Sequence, residues 1–483
     1  MRFYNIQNKF GFTLLFLFSC LTSFSQLNTL SPYSRFGIGE LEGGNSVFSN
    51  NLGGATVSIS PFVSVNYDNP ASYSYLISPI FQTSLSHNYT LTESAENSGN
   101  TSQSAFKEIV VGSPLGAKWG GSLGVTPYSA VGYNFSERSD FLADGTQSTY
   151  FYQGSGGFTK AFIGASRKST KYNYQKADRG PEIGLDSIKY MASSLSLGIN
   201  ANVIFGSAEY ERNIFFDNFN DYYHRLESST TSIGALRPTF GFLYKKDLGT
   251  KFEIKGEKID KVKQITLQIG GTYDANAFPN NISSRNTHQI LTAYTNINTL
   301  ASIPADTVLF DQDLNGELSI PSRLTLGAGL VIHNSKDNLI ELSGQFSTQD
   351  WSNFSNSLSA ENPELYGSSN TYSFGLQFTP KPLDVLQKGK FLKKTLYQVG
   401  YTYRENYVNL SGQNLIEQRV GLGCSIPFLK SKSLSRLNLG MDFGIRGNTE
   451  NGLIKESSFN AYIGFSLMPN LRIDRWFKQS KYQ

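Results

Sequence analysis

The sequence predicts an all-β protein, a transmembrane antiparallel β-barrel of about 14 strands with an N-terminal plug inside it. Three observations lead there. Apolar side chains recur at every second position over stretches of about ten residues, which is strand periodicity at the length that crosses a bilayer as a tilted strand. The chain opens on an export signal. After that signal there is no run of about 18 apolar residues, so spanning helices are excluded and a closed barrel is the remaining membrane structure.

Residues 1–25 carry Arg2 and Lys9, an apolar run from Phe10 to Leu21, and then Ser23-Phe24-Ser25. This is a small-x-small export peptide cut near Ser25/Gln26. Its apolar run is too short to remain as an anchor. Cys20, preceded by Leu17-Phe18-Ser19, loosely suits a lipoprotein signal, but Phe18 is bulky for one. Cleavage removes two positive charges and lowers the formal charge from +4 to +2. A chain so nearly balanced gives no electrostatic argument for nucleic acid. Cys424 is then the single thiol of the mature chain, so no intrachain disulfide forms. It follows Val420 and Leu422 in an alternating row, as lipid-facing or packed filler.

The segment 26–80 reads as the plug. Its alternation is poor, and it is rich in Ser, Asn and Gly, with Gly37, Gly39, Gly43, Gly44, Gly53 and Gly54. Residues 81–483 read as the barrel. The clearest strand runs from Leu195 to Gly206, where Leu195, Leu197, Ile199, Ala201, Val203 and Phe205 alternate with small or polar residues and Ile204 is the exception. The pattern returns at Leu324–Ile332, Ile340–Phe346, Tyr372–Phe378, Tyr397–Tyr403, Leu437–Ile445 and Phe459–Leu467. A soluble sandwich strand also alternates, so the signal peptide decides for the outer membrane. Glycines such as Gly327, Gly329, Gly440, Gly444 and Gly464 sit in the inward row, where something inside needs room. The aromatic content of 13% suits girdles at two membrane interfaces. Residues 167–190, 211–231, 274–319 and 349–370 are too charged or polar for a wall and read as loops.

Chemistry is sparse. His87, His224, His288 and His333 are dispersed, and no Ser, His and acid select one another as a triad, so no enzyme is expected. Asp311, Asp313 and Asn315 with Gly316 match the first half of a calcium loop, but Ser322 stands where the bidentate Glu belongs. A polar turn is the simpler reading. No cofactor is expected.

Three stretches resemble the FadL-like family of outer-membrane transporters. The first is Asn69-Pro70-Ala71, after Gly53-Gly54-Ala55 and Asn66-Tyr67-Asp68, which is similar to the family's hatch box. The second is Gly154-Ser155-Gly156-Gly157 ahead of Ala161–Ala165. The third runs from Leu318-Ser319-Ile320-Pro321 to a Trp351-Ser352-Asn353-Phe354 box, a candidate interface motif. The opening Ser31–Gly39 and the closing Asp474–Lys478 resemble a subgroup from bacteria with type 9 secretion. The resemblance implies passive carriage of hydrophobic small molecules such as long-chain fatty acids, with lateral exit into outer-membrane lipid. Its alternative is a non-transporting subunit or shuttle that docks secretion-system proteins. Arg35 is a candidate for a ligand head group or for a plug-to-wall contact. The charged end, Lys478 to Gln483, departs from the usual terminal aromatic strand.

Overall fold

The computed structural model describes residues 30–469 apart from 43–45, 140–144, 179–184, 218–222, 256–257, 278–281, 297–300, 335–337, 358–362, 382–390, 411, 428–433 and 451. The expected export peptide and the charged end therefore lie outside the described residues.

Where polar and apolar residues alternate, the chain is extended and sends one row to each face. Among the described residues fourteen strands form the wall. They are β1 (Ile80–Glu93), β2 (Ser98–Pro114), β3 (Trp119–Ala130, continued by Tyr133–Arg138), β4 (Ser148–Asp178), β5 (Leu185–Phe216), β6 (His224–Lys255) and β7 (Lys258–Asp274). After them come β8 (Arg323–Asn334), β9 (Leu339–Asp350), β10 (Ser368–Thr379), β11 (Leu396–Leu410), β12 (Gln413–Pro427), β13 (Arg436–Arg446) and β14 (Lys455–Leu467). Neighbours pair antiparallel, and β14 returns to β1 from Lys455↔Glu93 to Leu467↔Phe81, which closes the ring. Closure removes the free edges that hydrocarbon does not tolerate.

The outward row is apolar and exposed. On β5, Leu195, Leu197, Ile199, Val203 and Phe205 face out, while Ser194, Ser196, Asn200 and Asn202 are buried inside. Ile204, the break in the alternation, points inward and joins a buried cluster with Phe158, Ala208 and Ile233. Exposed Trp119 and Tyr397 lie near one end of the wall, and exposed Tyr89, Tyr273 and Tyr372 toward the other. Such a belt between aromatic girdles fits a bilayer. No described helix is long and apolar enough to cross a membrane.

An even strand number puts Ile80 and Leu467 at the same end, the inner mouth. Longer connections, including 275–322 and 351–367, lie at the other end, the outer mouth. Three of the expected loops are largely strand. β4, β5 and β6 have 31, 32 and 32 residues, about three times a spanning length. They pair past the belt to Asp178↔Leu185 at the inner side and Ser148↔Phe216 at the outer side. A hairpin, Ile282–Asn296 with Ala301–Ser319, extends β6 at the outer mouth. The charge of 167–178 excludes hydrocarbon but not a ladder in water, so these strands continue as blades beyond the membrane.

Residues 30–79 fold inside the ring. Ser46 caps the short helix α1 (Val47–Asn51), its hydroxyl accepting from Ser49 N. Two 3-10 turns, Pro32–Arg35 and Pro70–Tyr75, each start on proline, whose missing N–H costs nothing at a helix start. Leu52, Val65, Ala71 and Tyr73 are fully buried.

Candidate functional site at the plug and the wall seam

The inner tier of the plug, residues 46–79, is held by shape. Asn69 caps Pro70–Tyr75 by accepting from Ala71 N at 3.0 Å, and its amide donates to Val57 O at 2.7 Å and to Phe242 O of β6 at 2.9 Å. The neighbouring wall is glycine. A Cβ on Gly198 would sit 2.5 Å from Ala71 N, and one on Gly241 would sit 2.3 Å from Asn69 Oδ1. Gly400 lies against Leu52-Gly53, Gly270 against Val57, and Gly440 against Asn51 in the same way. Inward polar side chains complete the fit by satisfying plug backbone. Gln345 Oε1 accepts from Thr56 N and Val57 N at 3.1 and 2.9 Å, and Thr402 Oγ1 donates to Gly53 O at 2.7 Å.

The outer tier, residues 31–42, occupies a seam in the wall. β2 pairs with β3 only from Pro114↔Gly120 to Ile109↔Val125. Beyond that, β3 turns inward. Thr126, Ser129, Ala130 and Val131 are buried, and a register shift falls between Pro127 and Ser129, as suits a residue with no N–H to give. The plug takes the vacated place, with Glu40↔Ala130, Leu41↔Ser129 and Glu42 N donating to Tyr128 O at 3.0 Å. Gly39 has φ +87°, and a Cβ there would lie 2.4 Å from Ala130 O, so only glycine allows this approach. On the other side a bulge in β2 leaves Lys107 without a partner residue on β1. Bulges re-aim side chains, and Lys107 Nζ reaches Glu42 Oε2 at 2.7 Å.

A charged web ties this tier to the wall. Arg446 of β13 donates to Glu40 at 2.6 Å, Glu456 at 2.5 Å and Ser31 Oγ at 3.0 Å. Ser31 Oγ in turn donates to Glu456 at 2.7 Å. Arg419 pairs with Glu417 and lies 3.5 Å from Asp442, which accepts from Tyr462 at 2.5 Å. These groups border an internal cavity of about 190 Å³ whose lining also includes Lys107, Arg323, Arg404 and Asp68. The surroundings are ionic, whereas a pocket for an apolar ligand is mainly apolar. Tyr33 seals the rim, donating to Ile454 O at 2.6 Å, and burial pushes its hydroxyl pKa up.

The sequence-derived candidates fall at distinct places. Asn69, Pro70 and Ala71 form the plug's contact with β5 and β6. Arg35 is exposed, and its guanidinium lies 4.9 Å from the ring of Phe36, 5.8 Å from Phe135 and 5.4 Å from Tyr152. It is a plug-to-wall contact through aromatic faces, with no acidic partner among the described residues. Trp351 and Phe354 form a lid at the outer mouth. Trp351 is fully buried and stacks on Tyr407 at 4.4 Å, while Tyr407 Oη donates to Gly39 O at 2.7 Å. Ser352 N donates to Asp350, starting that turn. Asp311, Asp313 and Asn315 lie in a strand, with Asp311 opposite Thr287 and Asn315 opposite Ser284. A calcium loop and a polar turn both fold the backbone back on itself, whereas here it is extended and paired within Ala301–Ser319. Sequence reading missed Lys107, Glu417, Arg419, Asp442, Arg446 and Glu456. Part of their signal was present, since Asp442 and Arg446 stand in the inward row beside Met441, Phe443 and Ile445.

No curated protein sequence matches the chain. Among solved structures it resembles the Ralstonia pickettii toluene transporter TbuX, at 13% identity over 89% of this chain and 99% of that one, with TM-score 0.50. It likewise resembles the P. putida toluene transporter TodX, at 14% identity, 89% and 99% coverage and TM-score 0.51. These likenesses are of fold alone, a closed antiparallel barrel. The BamG family model matches residues 7–173 and 187–483, nearly the whole length, and the chain therefore belongs to the BamG family.

Proposed function

We propose that this chain is a closed FadL-type barrel without chemistry of its own, serving as a fixed subunit of an outer-membrane protein assembly. The observation that carries this reading is the lumen. Its cavity is lined by paired charges, and the plug is wedged on glycines below and ion-paired above. Opening it for an apolar solute would expose several buried ions at once, a large cost. Membership of the BamG family, whose name hints at assembly, supports the same reading, as does the resemblance of Ser31–Gly39 to barrels of bacteria with type 9 secretion.

A second reading has one observation in its favour. The seam between β2 and β3 is a sideways break in the ladder, and the fold is shared with two toluene transporters. On that reading hydrophobic molecules such as long-chain fatty acids enter at the outer mouth and leave passively through the seam once residues 38–42 withdraw. Native mass spectrometry of barrel extracted gently from its own membrane separates the two. An empty barrel travelling with another protein is expected. A fatty acid bound near one-to-one, with uptake of labelled fatty acid into liposomes holding the purified barrel, would overturn the assembly reading in favour of transport.

A further inference from the structure

Above the point where plug residues 40–42 join β3, the seam stays open. β2 from Ser98 to Phe106 pairs with β1 alone, from Ser98↔Glu93 to Phe106↔Leu85, and no described strand lies along its other edge. Opposite, the end of β3, Tyr133–Arg138, pairs with β4 alone. Free edges are templates for another strand, and proteins usually guard them with proline or charge. The stretch Ser98–Ala105 has neither, reading Ser-Gly-Asn-Thr-Ser-Gln-Ser-Ala. Ser98, Gly99, Asn100, Ser102 and Ser104 are exposed, and a Cβ on Gly99 would meet nothing within 4 Å. On the lumen side of the same strand pair, Asn88 Oδ1 and Gln103 Oε1 are buried acceptors without a hydrogen-bond partner. A wall edge with no described strand along it is an unfinished ladder.

We propose that this edge of β2 takes a β-strand from a different polypeptide, an extended polar segment of about eight residues added between β2 and the end of β3. The position continues an interface the molecule already uses, since Glu40–Leu41 adds to β3 in the same seam. A polar strand fits because the outward residues of this stretch, Ser98, Asn100, Ser102 and Ser104, are themselves polar and exposed, and Gln103 on its other face lines the charged cavity. A second copy fits less well, because its own edge is flanked by its own β3 and β4 and does not enter a slot between two strands. This inference rests on the assembly reading and names the kind of partner.

Hydrogen exchange read by mass spectrometry, on the assembly extracted gently from its membrane and on the isolated barrel, tests it. The amides of Gly99–Ala105 are expected to exchange at least about tenfold more slowly in the assembly. Thr101→Pro and Ser102→Pro supply the second arm. Their N–H groups point to opposite sides, so one of them removes a seam-facing donor while leaving the ladder to β1. That variant is expected to keep a heat-modifiable barrel and lose the protection and the companion protein. A companion that travels with the barrel while 99–105 exchange equally in both states would overturn the strand proposal and leave the assembly reading standing. Protection already present in an isolated dimer would overturn it in favour of a second copy. A barrel that travels alone with bound fatty acid would remove the assembly reading and this inference with it.

Discussion

The two tiers of the plug meet the same wall by opposite means. Below, backbone lies on glycine, and a Cβ on Gly400 would fall 2.0 Å from Gly53 N. Above, two ladder pairs and ion pairs hold a short strand in the seam. A steric wedge is indifferent to charge and resists any motion that must first deform a closed wall. A strand held by buried ions is strong only while every partner is present, because each ion left alone is more costly than the pair was favourable. The lower tier therefore acts as a fixed floor, and the upper tier is the part that a single lost contact can release.

That contrast sets the expected order of effects. Arg446→Met leaves Glu40 and Glu456 without their shared cation, with side-chain exposures of 22% and 3%, and should cost about 3–5 kcal/mol. Urea titration of the detergent-purified barrel measures it, and wild-type stability would show that the web does not hold the upper tier. Gly400→Val should cost about 1–3 kcal/mol by overpacking. It should also raise planar-bilayer conductance as Leu52-Gly53 is displaced. Unchanged conductance would mean that the floor yields without opening.

Alkaline pH comes next. Burial raises the hydroxyl pKa of Tyr33, Tyr67 and Tyr73 above 10.0, so the neutral phenols favour the folded plug. That contribution is complete below pH 10 and is lost as pH rises through the folded values. Tyrosinate absorbance should therefore show a fraction of the tyrosines titrating late and together with plug release, and simple titration near pH 10 would contradict it. The smallest effect belongs to the outer blade. Arg138→Ala breaks a pair with Asp217 whose side chains are 63% and 45% exposed, and should change stability by no more than about 1 kcal/mol. A larger loss by the same titration would mean the blade bears on the plug.

Much of the wall was legible because a strand writes its two faces into alternate letters. Leu195–Phe205 and Leu437–Ile445 needed no partner to be recognised. Ile204 looked like noise and is an inward residue of the apolar cluster. The blades were misread as loops because charge reports distance from hydrocarbon and is silent on whether the ladder goes on. Asp311–Asn315 was misread for a related reason. A calcium-loop spelling is local, while pairing with Ile282–Asn296 is decided by a neighbouring strand. Asn69-Pro70-Ala71 was legible as a hatch box, but not the cap that Asn69 forms, and Gly198 and Gly241, which make room for it, lie more than a hundred residues away.

The sequence by itself determined which residues face lipid, that the membrane is crossed by strands, and that residues 26–80 cannot be wall. Those are properties of short windows, set by hydrophobicity and by a backbone period of two. Only the tertiary structure decided that Glu42 meets Lys107, that Arg446 joins Glu40 to Glu456, and that β2 and β3 part company above Ile109 and Val125. Closing a ring brings its last strands against its first and folds the plug between them. Ion pairs formed across some 400 residues, and the gap the plug half fills, exist only once the ring is closed.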